Sequence, residues 1–197
     1  WLMGQAGGSS GFSKVETLSS LGQNTVATLP GLVSGQVTTM TGNSTHLWVT
    51  TAGTSQGFGQ SSGAGMLQGE RQTDGSILWQ DGWTMAANSK AQDAELIGTD
   101  LYISSTPTGL YKLDTLTGSV TRLNGGLHNN HDGMVRVGTT LVLGLMGSGG
   151  SAPGVQLYDL QTGYGNGKLI GGLPSNAING FAATTDVLYI ATNGGVG

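Results

Sequence analysis

Cysteine is absent from the 197 residues, so no disulfide staples the chain and no thiolate can act as nucleophile or metal ligand. Charge is scarce too. Asp, Glu, Lys and Arg make up only 9% of the chain, and the net charge is −4. The seven basic residues (Lys14, Arg71, Lys90, Lys112, Arg122, Arg136 and Lys168) are scattered. No basic stripe can track a phosphate backbone, which argues against nucleic acid as a partner. No apolar run approaches the ~20 residues of a membrane helix, so no membrane insertion is expected. A chain without thiols fits an exported protein, extracellular or periplasmic, although many cytosolic proteins would pass the same test.

Glycine is abundant, with 37 residues, and Thr, Ser, Asn and Gln stand where Lys and Glu usually cover a surface. Among them lie short, strongly β-prone runs. His46-Leu47-Trp48-Val49-Thr50-Thr51 is one, and Asp100-Leu101-Tyr102-Ile103-Ser104-Ser105 is another. Thr140-Leu141-Val142-Leu143-Gly144 and Val187-Leu188-Tyr189-Ile190-Ala191-Thr192 repeat the pattern, and the chain opens inside a fifth copy at Trp1-Leu2-Met3-Gly4. The anchors Trp1, Trp48, Tyr102, Val142 and Tyr189 recur roughly every 40 to 54 positions, about one four-stranded propeller blade. Two further strands fill each period. Leu110-Tyr111-Lys112-Leu113-Asp114 turns at Thr117-Gly118, and Val155-Gln156-Leu157-Tyr158-Asp159 turns at Thr162-Gly163. Thr-Gly and Asp-Gly supply the positive φ that such hairpins need. Asp74, Asp114 and Asp159 recur at these turns, where a carboxylate can accept from turn amides. The pattern predicts an all-β β-propeller of about four blade-lengths of four-stranded antiparallel sheets. Residues 1–197 form one partial propeller, with second strands near 1–4, 46–51, 100–105, 140–145 and 187–192. Residues 52–65 read as a long Gly/Ser/Gln loop without a strand signal.

Leu173-Pro174-Ser175-Asn176-Ala177-Ile178-Asn179, followed by Val187-Leu188-Tyr189-Ile190-Ala191-Thr192-Asn193-Gly194-Gly195-Val196, resembles the two-component regulator propeller repeat. Leu110 to Asp114 with Thr117-Gly118, and Leu157-Tyr158-Asp159 with Thr162-Gly163, fit the second half of that repeat. The resemblance covers nearly the whole chain and is tightest in the last copy. It implies extracytoplasmic sensing, often of carbohydrate-type ligands. The same hairpin is also similar to quinoprotein-type propeller repeats.

The first and last copies both contribute a second strand, so the chain is expected to be part of a larger propeller. Its neighbours would be the remaining blades of a parent chain or a second copy in a homo-oligomer.

Strands that alternate up and down bring the inter-blade loops (32–36, 88–93, 128–133, 174–179) to the same face as the outer loops (52–65, 106–109, 146–154, 193–195). That face is neutral and rich in amides and hydroxyls, which suits hydrogen bonding to a glycan or a protein ligand. The candidate binding residues are Asn88, Lys90, Asp93, His128, Asn129, His131, Asp132, Asn176 and Asn179. The cluster His128-Asn129-Asn130-His131-Asp132 holds two imidazoles and a carboxylate, the one place where metal or acid–base chemistry could arise. Its spacing matches no strong motif, so no metal, cofactor or catalytic residue is assigned. The expected function is a non-enzymatic ligand- or protein-binding module of a larger exported or cell-surface protein. The alternative is a propeller enzyme, a lyase or quinoprotein-like dehydrogenase, with its site near His128 and His131.

Overall fold

The computed structural model describes residues 2–5, 13–18, 24–28, 36–52, 54–56, 60–62, 65–84, 89–123, 127, 131–145, 154–170, 172–173, 178–185 and 187–196. Every regular element among them is a strand. The chain divides into two compact units, Trp1–Ala91 and Gln92–Gly197.

In the first unit, β1 (Leu2–Gln5), β2 (Ser13–Leu18) and β3 (Asn24–Thr28) form one antiparallel meander. A second meander follows from β4 (Gln36–Gly42) and β5 (His46–Ala52). Its outer strands are β8 (Gly65–Arg71) and β9 (Ile77–Thr84). Between β5 and β8 the chain makes an additional hairpin, β6 (Thr54–Gln56) with β7 (Gln60–Ser62). This corrects the loop expected over 52–65. Thr, Ser and Gln give these strands no apolar face, so neither alternation nor a β-branched run announces them. In the second meander Leu47, Val49 and Leu67 bury one face, with Met40, Ile77 and Trp79 packed on it. On the other face Trp48 is buried, and its indole N–H donates to Gln68 Oε1 at 3.3 Å.

The second unit holds most of β10 (Lys90–Ile97), with β11 (Asp100–Thr106), β12 (Gly109–Asp114) and β13 (Val120–Leu123). The next meander is β14 (His131–Val137), β15 (Thr140–Leu145), β16 (Val155–Asp159) and β17 (Tyr164–Ile170). The last is β18 (Ile178–Ala183), β19 (Leu188–Thr192) and β20 (Gly195–Val196). These meanders stack face to face, with β11 beside β14 and β14 beside β18. Stacked antiparallel meanders of this kind, here two of four strands and the last of three, are the blades of a β-propeller.

The stacking explains why a second strand covered on both faces, such as β15, is so legible. A strand covered on both faces cannot alternate apolar with polar, so it reads as a continuous apolar run. On β15, Leu141 and Leu143 face the preceding blade and cluster with Tyr102, Leu110, Met134 and Tyr158. Val142 points the other way and joins Val155, Ile178 and Ile190 under the following blade. Tyr102 and Tyr158 meet across the first of these interfaces with ring centroids 6.4 Å apart, tilted by 54°. Full burial of one such side chain is worth about 1.5–3 kcal/mol relative to leaving it in water.

The hairpins follow the sequence closely. Gly118 and Gly163 sit at φ 71° and 67°, left-handed values that Gly adopts at little cost. Asp114 Oδ1 accepts from the N–H groups of Leu116 and Thr117 at 2.9 and 3.1 Å. Asp159 Oδ1 does the same for Gln161 and Thr162 at 2.7 and 3.1 Å. These amides hold the Asp114 carboxyl below the usual aspartate range. Both carboxylates are turn formers, as their spacing implies.

The first strands of the blades are where the sequence misleads. Alternation places their starts at Ala94 and Met134, whereas β10 begins at Lys90 and β14 at His131. At β14 the reason is a β-bulge. His131 pairs with Leu145 and Gly133 with Gly144, leaving Asp132 as an extra residue. The same shift leaves Asn179 extra between Ile178 and Gly180, and Thr38 extra between Val37 and Thr39. One inserted residue flips the alternation, so a period-two reading ends where the bulge begins.

Candidate functional site

The starts of the first strands and the ends of the second strands meet at one end of each blade, where the candidate residues fall. Asn88, His128, Asn129 and Asn176 lie outside the described residues. Lys90 opens β10 with its side chain exposed, and its backbone pairs with Ala52. Asp93, His131, Asp132 and Asn179 lie within first strands rather than in the loops expected over 88–93, 128–133 and 174–179.

Asp93 is engaged by the next blade. Its Oδ2 accepts from the Met134 N–H at 3.0 Å, and its Oδ1 accepts from the Ala94 N–H at 2.8 Å. On the same inner edge of β14, Thr106 Oγ1 donates to the His131 carbonyl at 3.0 Å. The bulge has taken this stretch out of a regular ladder, and side chains from the preceding blade satisfy what it leaves open. Leaving such a buried donor unpaired costs about 1–3 kcal/mol. Gly144 lets the following blade approach the other side. Phe181 of β18 lies so close that a Cβ on Gly144 would sit 3.0 Å from its ring.

The His131 side chain is fully buried. Its Nε2 lies 3.5 Å from Oε1 of Gln156, which is itself fully buried. An imidazole enclosed in this way braces the blade and does not meet solvent. Asp132 occupies the bulge beside it. Among the described residues no three His, Asp or Glu side chains converge on a point that could hold a metal ion.

Two residues along β10 from Asp93 lies the half-buried Glu95. Burial pushes its carboxyl above the usual glutamate range, and the Asp93 charge adds to the rise. Arg136 of β14 acts in the opposite direction, while its Nε donates to the Gly138 carbonyl at 2.8 Å.

Asn179, like Lys90, is an exposed candidate. It is the extra residue of the β18 bulge, and its Nδ2 donates to Asn193 Oδ1 at 2.9 Å across the mouth of the last blade. Asn193 is a partner that the sequence does not single out, although it lies in an outer loop. The neighbouring turn is fixed from within. Thr192 Oγ1 donates to the Gly195 carbonyl at 2.8 Å and accepts from the Gly194 N–H at 3.2 Å. The result is an exposed amide pair on a braced support. After its internal bond, the pair retains the second Asn179 N–H, the Asn179 carbonyl oxygen and the Asn193 amide N–H groups for a ligand.

An open groove of about 330 Å³ is lined by Met40, Thr41, Gly42, Asn43 and Leu47. Its amide is already occupied. Asn43 Oδ1 accepts from the N–H groups of Thr45 and His46 at 2.9 and 2.8 Å and from Thr45 Oγ1 at 3.0 Å. The groove sits at the tight turn between β4 and β5, away from the loop end of the blade.

No protein-family model matches the chain, and no curated protein matches it. Solved structures do. The extracellular domain of BT4673 from B. thetaiotaomicron, described as a one-component or hybrid two-component system, matches with a TM-score of 0.60 at 20% identity. The match covers 82% of this chain and 20% of that one. The extracellular domain of BT3049 from the same organism, described as a hybrid two-component system, matches with a TM-score of 0.58 at 17% identity. It covers 93% of this chain and 22% of that one. The chain thus spans about a fifth of the length of the structures it matches. At these identities the likeness is one of fold: the β-propeller blades described above are built like those of extracellular domains of two-component system proteins.

Proposed function

We propose that this chain is a non-enzymatic ligand-binding module, part of the extracytoplasmic sensing region of a larger protein, and that its ligand is a neutral, hydroxyl-rich molecule of the carbohydrate class. The observation that carries this reading is the exposed Asn179–Asn193 amide pair at the loop end of the last blade. Amides that both donate and accept suit sugar hydroxyls, which do the same. The scarcity of charge across the chain disfavours an ionic ligand. The likeness to extracellular domains of two-component system proteins supports both the location and the sensing role. Burial of His131 weakens the enzyme alternative, because an acid–base group must reach its substrate.

A glycan array probed with the chain, followed by calorimetry on any hit, tests the proposal. Asn179→Ala and Asn193→Ala should each weaken binding roughly 5- to 10-fold, the loss of about one hydrogen bond. The variants should melt like the parent, since both side chains are exposed. Absence of glycan binding, or variants that bind as tightly as the parent, would sink it.

A further inference from the structure

We propose that Asn43 is an acceptor for N-linked glycosylation. Asn43-Ser44-Thr45 is the one Asn-x-Ser/Thr triplet in the sequence. Such a triplet is a bare pattern until a structure shows whether its asparagine can be reached and how its amide is held. Here it forms the tight turn between β4 and β5, where Gly42, Asn43, Ser44 and Thr45 are all exposed. The turn is closed by its own two strands, and the Asn43 N–H donates to the His46 carbonyl at 2.9 Å. The middle residue, Ser44, is not the proline that would bar the triplet.

The amide is held as the transfer chemistry needs. Asn43 Oδ1 gathers three donors, the N–H groups of Thr45 and His46 and the Thr45 hydroxyl. They fix that atom as the oxygen and set Nδ2, the nucleophile, on the opposite side of the amide. An amide nitrogen attacks poorly because its lone pair is shared with the carbonyl. As Nδ2 loses a proton, charge collects on Oδ1, and donors already aimed there stabilise it. The Thr45 hydroxyl is itself held, with His46 Nδ1 at 2.9 Å. The His46 ring in turn stacks on Trp48, with centroids 5.7 Å apart. In the transfer, Nδ2 gives its proton to a base of the transferase and attacks the anomeric carbon of a lipid-diphosphate-linked oligosaccharide. The C–N bond forms as the C–O bond to the diphosphate breaks, and the lipid diphosphate leaves with the electron pair. Nothing is oxidised or reduced. With charged residues at only 9% of the chain, an attached glycan supplies hydrated cover that the side chains do not.

The inference rests on the extracytoplasmic location proposed above, since donor lipid and transferase act on exported chains. The test therefore sends the whole chain through the secretory pathway of a eukaryotic host behind a cleavable leader. Absence of sugar then counts against the site and not against the location. Intact mass and peptide mapping of the secreted chain should place a glycan on Asn43, and release by peptide-N-glycosidase should leave an aspartate where Asn43 stood. Asn43→Asp keeps the oxygen that the turn amides need and removes Nδ2, so it should fold like the parent by circular dichroism and carry no glycan. Thr45→Ala should lower occupancy at least about tenfold, the equivalent of one hydrogen bond in the transition state. Thr45→Ser should restore most of it. A secreted parent without sugar on Asn43, or occupancy that survives Thr45→Ala unchanged, overturns the proposal.

Discussion

Asp93 and Glu95, two residues apart on one strand, are put to different uses. Asp93 is tied to the edge of the next blade through Met134 and was singled out by the sequence as a binding residue. Glu95 drew no attention there, because nothing in its neighbours predicts half-burial. Its raised pKa means the folded state holds the Glu95 proton more tightly than the unfolded chain does. The stabilisation from that proton is complete below the usual glutamate range and is lost as pH rises through the folded pKa. Glu95→Gln, which mimics the protonated form, should therefore melt higher than the parent near pH 7. The advantage should shrink as pH falls below the ordinary glutamate value. Equal melting curves for the two proteins near pH 7 would show that Glu95 ionises without cost. At the same scale, residue type alone could not separate His131, which is sealed beside Gln156, from Asn179, which faces water. Both sit at bulged starts of first strands, and only the packing of neighbouring blades distinguishes them.

At the scale of the element, legibility follows burial. β5, β11 and β15 can be read from sequence because each buries residues on both faces and so is apolar without interruption, and β19 repeats their pattern. β6 and β7 cannot, because a polar hairpin outside any sheet interior leaves no hydrophobic trace. The start of β14 cannot, because a bulge breaks the alternation on which reading depends. The same burial sets the energetics. Leu143 is fully buried between two blades, and Leu143→Ala should cost about 2–5 kcal/mol in urea unfolding. Leu116→Ala, at a residue 79% exposed, should cost less than about 0.5 kcal/mol. Similar costs for both would mean the blades are not held by this interior packing.

For the whole molecule, the governing fact is how little of the fold rests on charge. Charged residues make up only 9% of the chain, and the ion pair of Lys112 Nζ with Asp100 Oδ2 at 3.2 Å is partly exposed. Pairs of that kind contribute about 0–1 kcal/mol. The melting temperature should accordingly shift by less than about 2 °C between roughly 0.05 and 0.5 M sodium chloride, although the Debye length shortens severalfold. A large salt dependence would point to electrostatic support from elsewhere in the chain. The propeller class, the repeat length and the order of blades are legible from the spacing of five apolar runs, because repetition amplifies a weak local signal. The division into two compact units is not, since nothing in residues 88–93 marks a boundary.

The bulge near the head of three first strands, β4, β14 and β18, has a wider consequence. The residue it inserts belongs to no cross-strand pair, so its identity is released from the demands of the sheet. Three repeats already hold a hydroxyl, a carboxylate and an amide there, in Thr38, Asp132 and Asn179. Selection can thus vary one side chain per repeat, always at the same architectural address, while the meander that carries it stays as it is.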